Sequence, residues 1–138
     1  MENSQGEVLL QKRKHQVFDN LWDVTASTDL SHFEDGRDEK VEEAAYRCLK
    51  REYGIEKVEN LKTLGGFSYF AKDGEHCENE YDYILVGGYD GEVNMDPNVG
   101  YEYKWVKKED FLKDIEQNPK NYTPWAIESA KILKQVGF

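Results

Sequence analysis

Strands, a helix, further strands and then helices follow one another along this chain, an order that predicts an α+β fold with a mixed sheet flanked by helices. Two observations carry that prediction. Apolar residues between Val41 and Leu49 recur with the period of a helix, and several other segments show strand-length apolar patterns bounded by Gly, Asn, Ser or Asp. With 138 residues, 38% of them hydrophobic and 13% aromatic, the chain can bury one ordinary core, so residues 1–138 are expected to form a single domain.

The elements follow in order. "NSQG" before "EVLLQKRK" reads as a turn feeding a strand, with the first strand of any hairpin missing or lying elsewhere. "LWDVTAST" is a second short strand, and "DLSHFEDGRDEK" a polar loop. From Asp38 to Tyr53, Val41, Ala44, Ala45, Cys48 and Leu49 form one apolar stripe, with Asp38 as cap and Gly54 as stop. "KVENLKTLGGFSYFAK" predicts a strand bent at its glycines, "KDGE" a turn, "CENEYDYILVGGY" a strand of about nine residues and "YEYKWVKK" another. "KEDFLKDIEQN" is a short helix stopped by Pro119, and Thr123-Pro124 cap and begin a last helix reaching about Val136.

Composition narrows the function. The 28 acidic residues outnumber 18 basic ones, and a formal charge of −10 repels a phosphate backbone, so no nucleic-acid partner is expected. A small phosphate ester held through a divalent cation is compatible with that charge. Cys48 and Cys77 have no CxxC spacing and no apolar leader precedes them, no run is long enough to span a bilayer, and a cytoplasmic protein without a membrane partner is the expectation. A monomer and a homodimer both remain open.

Three features carry chemistry. Glu52 falls on the buried helix line of Val41, Ala45 and Cys48, either as a carboxylate at the stripe's edge reaching water or a Lys, or as one aimed into a cleft where a hard cation compensates its desolvation. In "HCENEYDY", strand alternation puts His76, Glu78, Glu80 and Asp82 on one face, which Ile84 and Val86 continue as core. That face is either a solvent face or the rim of a pocket, and same-face carboxylates roughly 6.8 Å apart can share a cation. Trp125, beside Pro124, is a packing aromatic or a ring face for a cation.

Together these residues resemble the Nudix superfamily, and within it the type I isopentenyl-diphosphate isomerases. The Nudix box, G, five residues, E, seven residues, R-E-U-x-E-E-x-G-U with U aliphatic, is matched at Glu39, Arg47, Leu49, Glu52, Gly54 and Ile55. Phe33 replaces its first glycine, and Cys48 and Arg51 replace two of its carboxylates, which weakens ordinary pyrophosphohydrolase chemistry. The isomerases depart from the box at the same two positions and also resemble the chain at "LLQKR", "LW", "ENE" and "TPW".

The resemblance implies a Nudix fold, an α/β/α sandwich, and a site for a small-molecule diphosphate with Mg2+ or Mn2+ as cofactor. It makes Glu78 a metal ligand, Glu80 a ligand and the acid or base, Glu52 a helix carboxylate near the metal, Trp125 the ring facing a cationic intermediate and Tyr69 an assistant to the glutamate. By count from Trp22, Ser27 stands where the family has its catalytic cysteine, and Asp29 where it has a ligand histidine. The family's first segment has no counterpart, and its basic diphosphate loop is shortened, leaving Arg13 and Lys14, with Arg47, as substrate-binding candidates. A serine hydroxyl at ordinary pKa is a poor acid, so Ser27 is expected to serve at most as a proton relay. Three functions follow: an isomerase-like proton transfer, a metal-dependent hydrolase on a nucleoside or other diphosphate, and a binding module without catalysis.

Overall fold

The computed structural model describes all 138 residues. Its first strand, β1 (Glu7–Arg13), explains why the run "VLL" has no polar alternation: both of its faces are covered. Val8 and Leu10 pack on one side with Phe111, Ile115, Ala126 and Leu133, while Leu9 packs on the other with Leu49, Tyr53, Ile55 and Val58. Leu9 and Leu10 are each 1% exposed, and burying a leucine this fully stabilises by about 2 kcal/mol. A strand with helices on both faces is the middle layer of an α/β/α sandwich, as the resemblance implied.

β1 runs antiparallel to β2 (Trp22–Asp23) on one edge and to β5 (Gly100–Lys107) on the other. β3 (Glu59–Asp73) and β4 (His76–Gly88) form a long antiparallel hairpin that sets Tyr69 opposite Glu80 and Phe67 opposite Asp82. Glu2 bridges Val8 antiparallel and Gly88 parallel, joining the two parts into a mixed sheet. Residues 1–3 are therefore the extended piece before the "NSQG" turn, with the Leu9 amide donating to the Met1 carbonyl at 3.1 Å, so the turn's missing partner is found in the chain itself.

Three expectations need correction. The second strand is only two residues long, because the chain from Val24 onward leaves the sheet edge to line the site. β4 has 13 residues rather than about nine, since its polar half stays paired with β3 out to the hairpin turn at Gly74. The first helix, α1, spans Val41–Tyr53, not Asp38–Tyr53. The Asp38 carboxylate meets His32 Nδ1 at 2.7 Å, and Lys40 occupies the N-cap without a side-chain bond. Gly54 ends α1 as expected, at φ +66° with its amide on the Leu49 and Lys50 carbonyls.

The glycine bend in β3 is a register shift between Thr63 and Gly65. A Cβ on Gly66 would lie 2.7 Å from the Asp82 carbonyl oxygen, which is why a side chain is not accommodated there. The C-terminal elements match their expected order: α2 (Lys108–Gln117), a single 3₁₀ turn (Pro119–Asn121) and α3 (Pro124–Gln135). Thr123 caps α3, its hydroxyl accepting from the Ala126 amide at 3.3 Å.

Candidate active site

The site forms where β2, the polar half of the β3–β4 hairpin and the start of α3 meet. Phe18, Tyr69 and Trp125 form a small aromatic core there, with Phe18 edge-on to Trp125 at 5.2 Å and Tyr69 tilted against it at 6.1 Å. Because Tyr69 lies opposite Glu80 in the ladder, its side chain shares the face of the glutamates. Its hydroxyl donates to Glu78 at 2.6 Å and approaches Glu80 at 3.4 Å. These groups line a cavity of about 880 Å³ that runs from the hairpin to α1.

Of the expected face of "HCENEYDY", Glu78, Glu80 and Asp82 line the cavity and Ile84 behind them is core, while His76 is exposed outside it; Tyr81 and Tyr83 of the other face also reach the cavity. Burial, then the charges of Glu78 and Asp29, raise the pKa of Glu80. Asp82 is pushed up to about 6 by burial and by Glu80, Glu78 and Asp29 around it. Burial of acids near one another favours the protonated form.

Glu52 is buried at 7% exposure, as its place on the helix stripe predicted. Its partners are Gln11 Nε2 and Arg51 Nη2, each at 3.3 Å, an arginine rather than the expected lysine, and burial raises its pKa. Arg51, which replaces a carboxylate of the Nudix box, thus acts as a counter-ion to the retained one. Cys48, the other replacement, is buried against the Ser27 carbonyl, and burial pushes its thiol up to about 12.

Two of the substrate-binding candidates, Arg13 and Lys14, line the cavity. The Arg13 guanidinium lies 5.0 Å over the Trp125 ring, so a cation already uses that ring. Arg47 does not line the cavity. It grips the buried Glu39 with Nε and Nη2, both at 2.9 Å, and bonds the Asp29 carbonyl at 2.8 Å, away from the cavity lining. That pair holds the Glu39 carboxyl down at about 2 and ties the loop before α1 to the helix. Arg47 thus commits Nε and Nη2 to holding the fold together.

The expected metal quartet of Glu52, Glu78, Glu80 and Asp29 is not gathered: no three His, Cys, Asp or Glu side chains stand close enough together to hold an ion. Glu52 is held on α1 by Gln11 and Arg51, whereas Glu78 and Glu80 meet at the Tyr69 hydroxyl on the hairpin. The donor chemistry nevertheless fits a hard cation. Five carboxylates but only three Lys or Arg side chains line the cavity, and Mg2+ needs only one or two carboxylates when substrate phosphates and water complete its shell.

Asp23 escaped the sequence reading. It is 1% exposed, and its Oδ2 accepts from Trp125 Nε1 at 2.9 Å and from Ser27 Oγ at 3.1 Å. Its Oδ1 accepts from Thr123 Oγ1 at 3.0 Å and from the Val24 amide at 2.7 Å. The available signal was an acid set between Trp22 and Val24 in an apolar strand, a place no carboxylate occupies without several donors.

Residues 1–126 match the model of the NUDIX domain family. The chain is 34% identical over 131 residues to an isopentenyl-diphosphate Delta-isomerase of Nocardia farcinica, covering 92% of this chain and 71% of that protein. It is 29% identical over 138 residues to an isopentenyl-diphosphate Delta-isomerase of Serratia proteamaculans, covering 98% and 72%. A MutT NUDIX hydrolase from Burkholderia pseudomallei shares the fold, with a TM-score of 0.70 at 20% identity over 93% of this chain and 88% of that one. With the box residues, the sandwich and the family match in agreement, the chain belongs to the Nudix family.

Proposed function

We propose that this protein is an enzyme that moves a proton on a small isoprenoid diphosphate, in the manner of an isopentenyl-diphosphate isomerase. One observation carries the reading: Tyr69 donates to Glu78 and reaches toward Glu80 while its ring packs on Trp125, which sets acid, base and aromatic face around one cavity. The names of the relatives agree with it.

Moving a double bond one carbon along needs a proton added at one carbon and another removed from a neighbour, with a tertiary cation between. Glu80, its pKa raised by burial and by Glu78 and Asp29, would be the group that holds and releases that proton. Tyr69 pins Glu78 beside it, and the Trp125 ring offers its π face to the cation. Arg13, now over that ring, and Lys14 are placed to meet the diphosphate at the cavity wall. Glu78 and Glu80 would hold Mg2+ or Mn2+, which would neutralise the diphosphate. Glu52 and Asp29 are further candidates for that cation.

The hydrolase alternative is disfavoured by Arg51. A hydrolase needs carboxylates in the box to activate water through metal, and here a guanidinium pairs with the one retained at Glu52. Incubation with isopentenyl diphosphate and Mg2+ in D2O tests the proposal. Deuterium uptake or an acid-labile allylic product, lost in Glu80→Gln, is expected. Release of phosphate or pyrophosphate without exchange would assign the hydrolase instead, and neither product at high enzyme concentration would leave a binding module.

A further inference from the structure

The least conspicuous carboxylate near the cavity lies outside its lining and has the most connections to the residues around it. Asp23 lies beneath the cavity wall and touches no solvent, yet a single oxygen, Oδ2, receives both the Trp125 indole N–H and the Ser27 hydroxyl. The other oxygen receives Thr123, the cap of the helix that carries Trp125. Arg13 also lends its charge to this carboxyl, and Arg13 is the group lying over the Trp125 ring.

We propose that Asp23 is the positioning residue of this site, acting through both Trp125 and Ser27. An indole has one N–H and that N–H is spent on Asp23, which fixes the ring plane the cavity sees. Serine likewise has one hydroxyl proton. With that proton on Asp23, Ser27 meets the cavity with lone pairs, as an acceptor, and the donor role is left to the Glu80, Tyr69 and Glu78 group. The residue in the cysteine's place therefore does not supply a proton to the substrate as long as Asp23 holds it. The inference rests on the proposed isomerase-like reading for its consequence, while the positioning itself is a property of the protein alone.

Two measurements test it without substrate. In the intact 15N-labelled protein, the indole N–H of Trp125, identified by its loss in Trp125→Phe, is expected to exchange with solvent more slowly than those of Trp22 and Trp105. It is also expected to shift upfield in Asp23→Asn, where a neutral amide, whichever way it turns, is a weaker acceptor for the indole N–H than the carboxylate. Exchange as fast as that of the half-buried Trp22 overturns the proposal, even if Asp23→Asn fails to fold. So does an unmoved resonance in a folded Asp23→Asn.

The third measurement is the deuterium-uptake rate in a double-mutant cycle. Asp23→Asn is expected to lower kcat by about 10- to 100-fold with a smaller change in KM, the usual consequence of misplacing reacting groups. Adding Ser27→Ala to Asp23→Asn is expected to cost less than Ser27→Ala costs alone. Fully independent effects would overturn the link through Ser27. If the wild-type protein shows no uptake at all, the isomerase-like reading fails, and the indole measurements still decide the positioning role.

Discussion

Asp82→Asn should stabilise this protein at neutral pH in metal-free buffer, and by an amount that the surroundings of Asp82 allow to be worked out. Burial, then the nearby charges of Glu80, Glu78 and Asp29, raise its pKa from 3.8 to about 6 in the folded state. A carboxyl raised on folding binds more protons native than unfolded, so stability is full below the unfolded value near 3.8 and is lost as pH climbs through about 6. A rise from 3.8 to about 6 corresponds to about 3 kcal/mol by the usual conversion. Because the side chain is only half-buried, solvent screening reduces this to about 1 to 1.5 kcal/mol. An amide keeps the shape and removes the charge. Urea denaturation with EDTA at pH 4.0 and 7.5 is the assay, and a gain of about 1 to 1.5 kcal/mol is expected at pH 7.5 with little at pH 4.0. Equal stability of variant and wild type at pH 7.5, or a gain of the same size at both values, would refute the charge-crowding argument.

Other outcomes follow from burial and close contact. Of the two thiols, exposed Cys77 should react with iodoacetamide at pH 8, while Cys48, buried and pushed up to about 12, should stay unlabelled until the protein is denatured; mass spectrometry of the tryptic peptides distinguishes them. Gly87→Ala would bring a Cβ to 2.9 Å from Val58 Cγ2 in a packed layer, and thermal unfolding should report a loss of about 1 to 3 kcal/mol, against little change for an alanine at exposed Gly91, where only the Tyr89 ring must swing aside.

Much of the fold was legible because local signals and global packing agree. The α1 stripe, the Gly54 stop, the Thr123-Pro124 start of α3 and the Gly65-Gly66 bend each depend on a residue and its near neighbours. Asp38 failed as a cap because His32, six residues earlier, offered it a partner that helix rules do not weigh. The short β2 was misread because "LWDVTAST" has strand composition, while the chain leaves the edge of β1 after Asp23 although β1 itself runs on.

The site divides along the same line. Strand alternation by itself brought Glu78, Glu80 and Asp82 to one face, and helix periodicity by itself buried Glu52, since both depend only on backbone geometry. Which partners those carboxylates meet is a matter of distant residues. Asp23 and Trp125 are 102 positions apart, and only the packing of α3 against the end of β2 makes them hydrogen-bond neighbours. Arg47 was read toward substrate because an arginine in a box has no direction until Glu39 and the Asp29 carbonyl take its donors. The sequence determined which faces are acidic, which are apolar and where the chain turns. The tertiary structure decided which acids crowd one another, which cation answers them and where each proton points, because those depend on distances that no local rule contains.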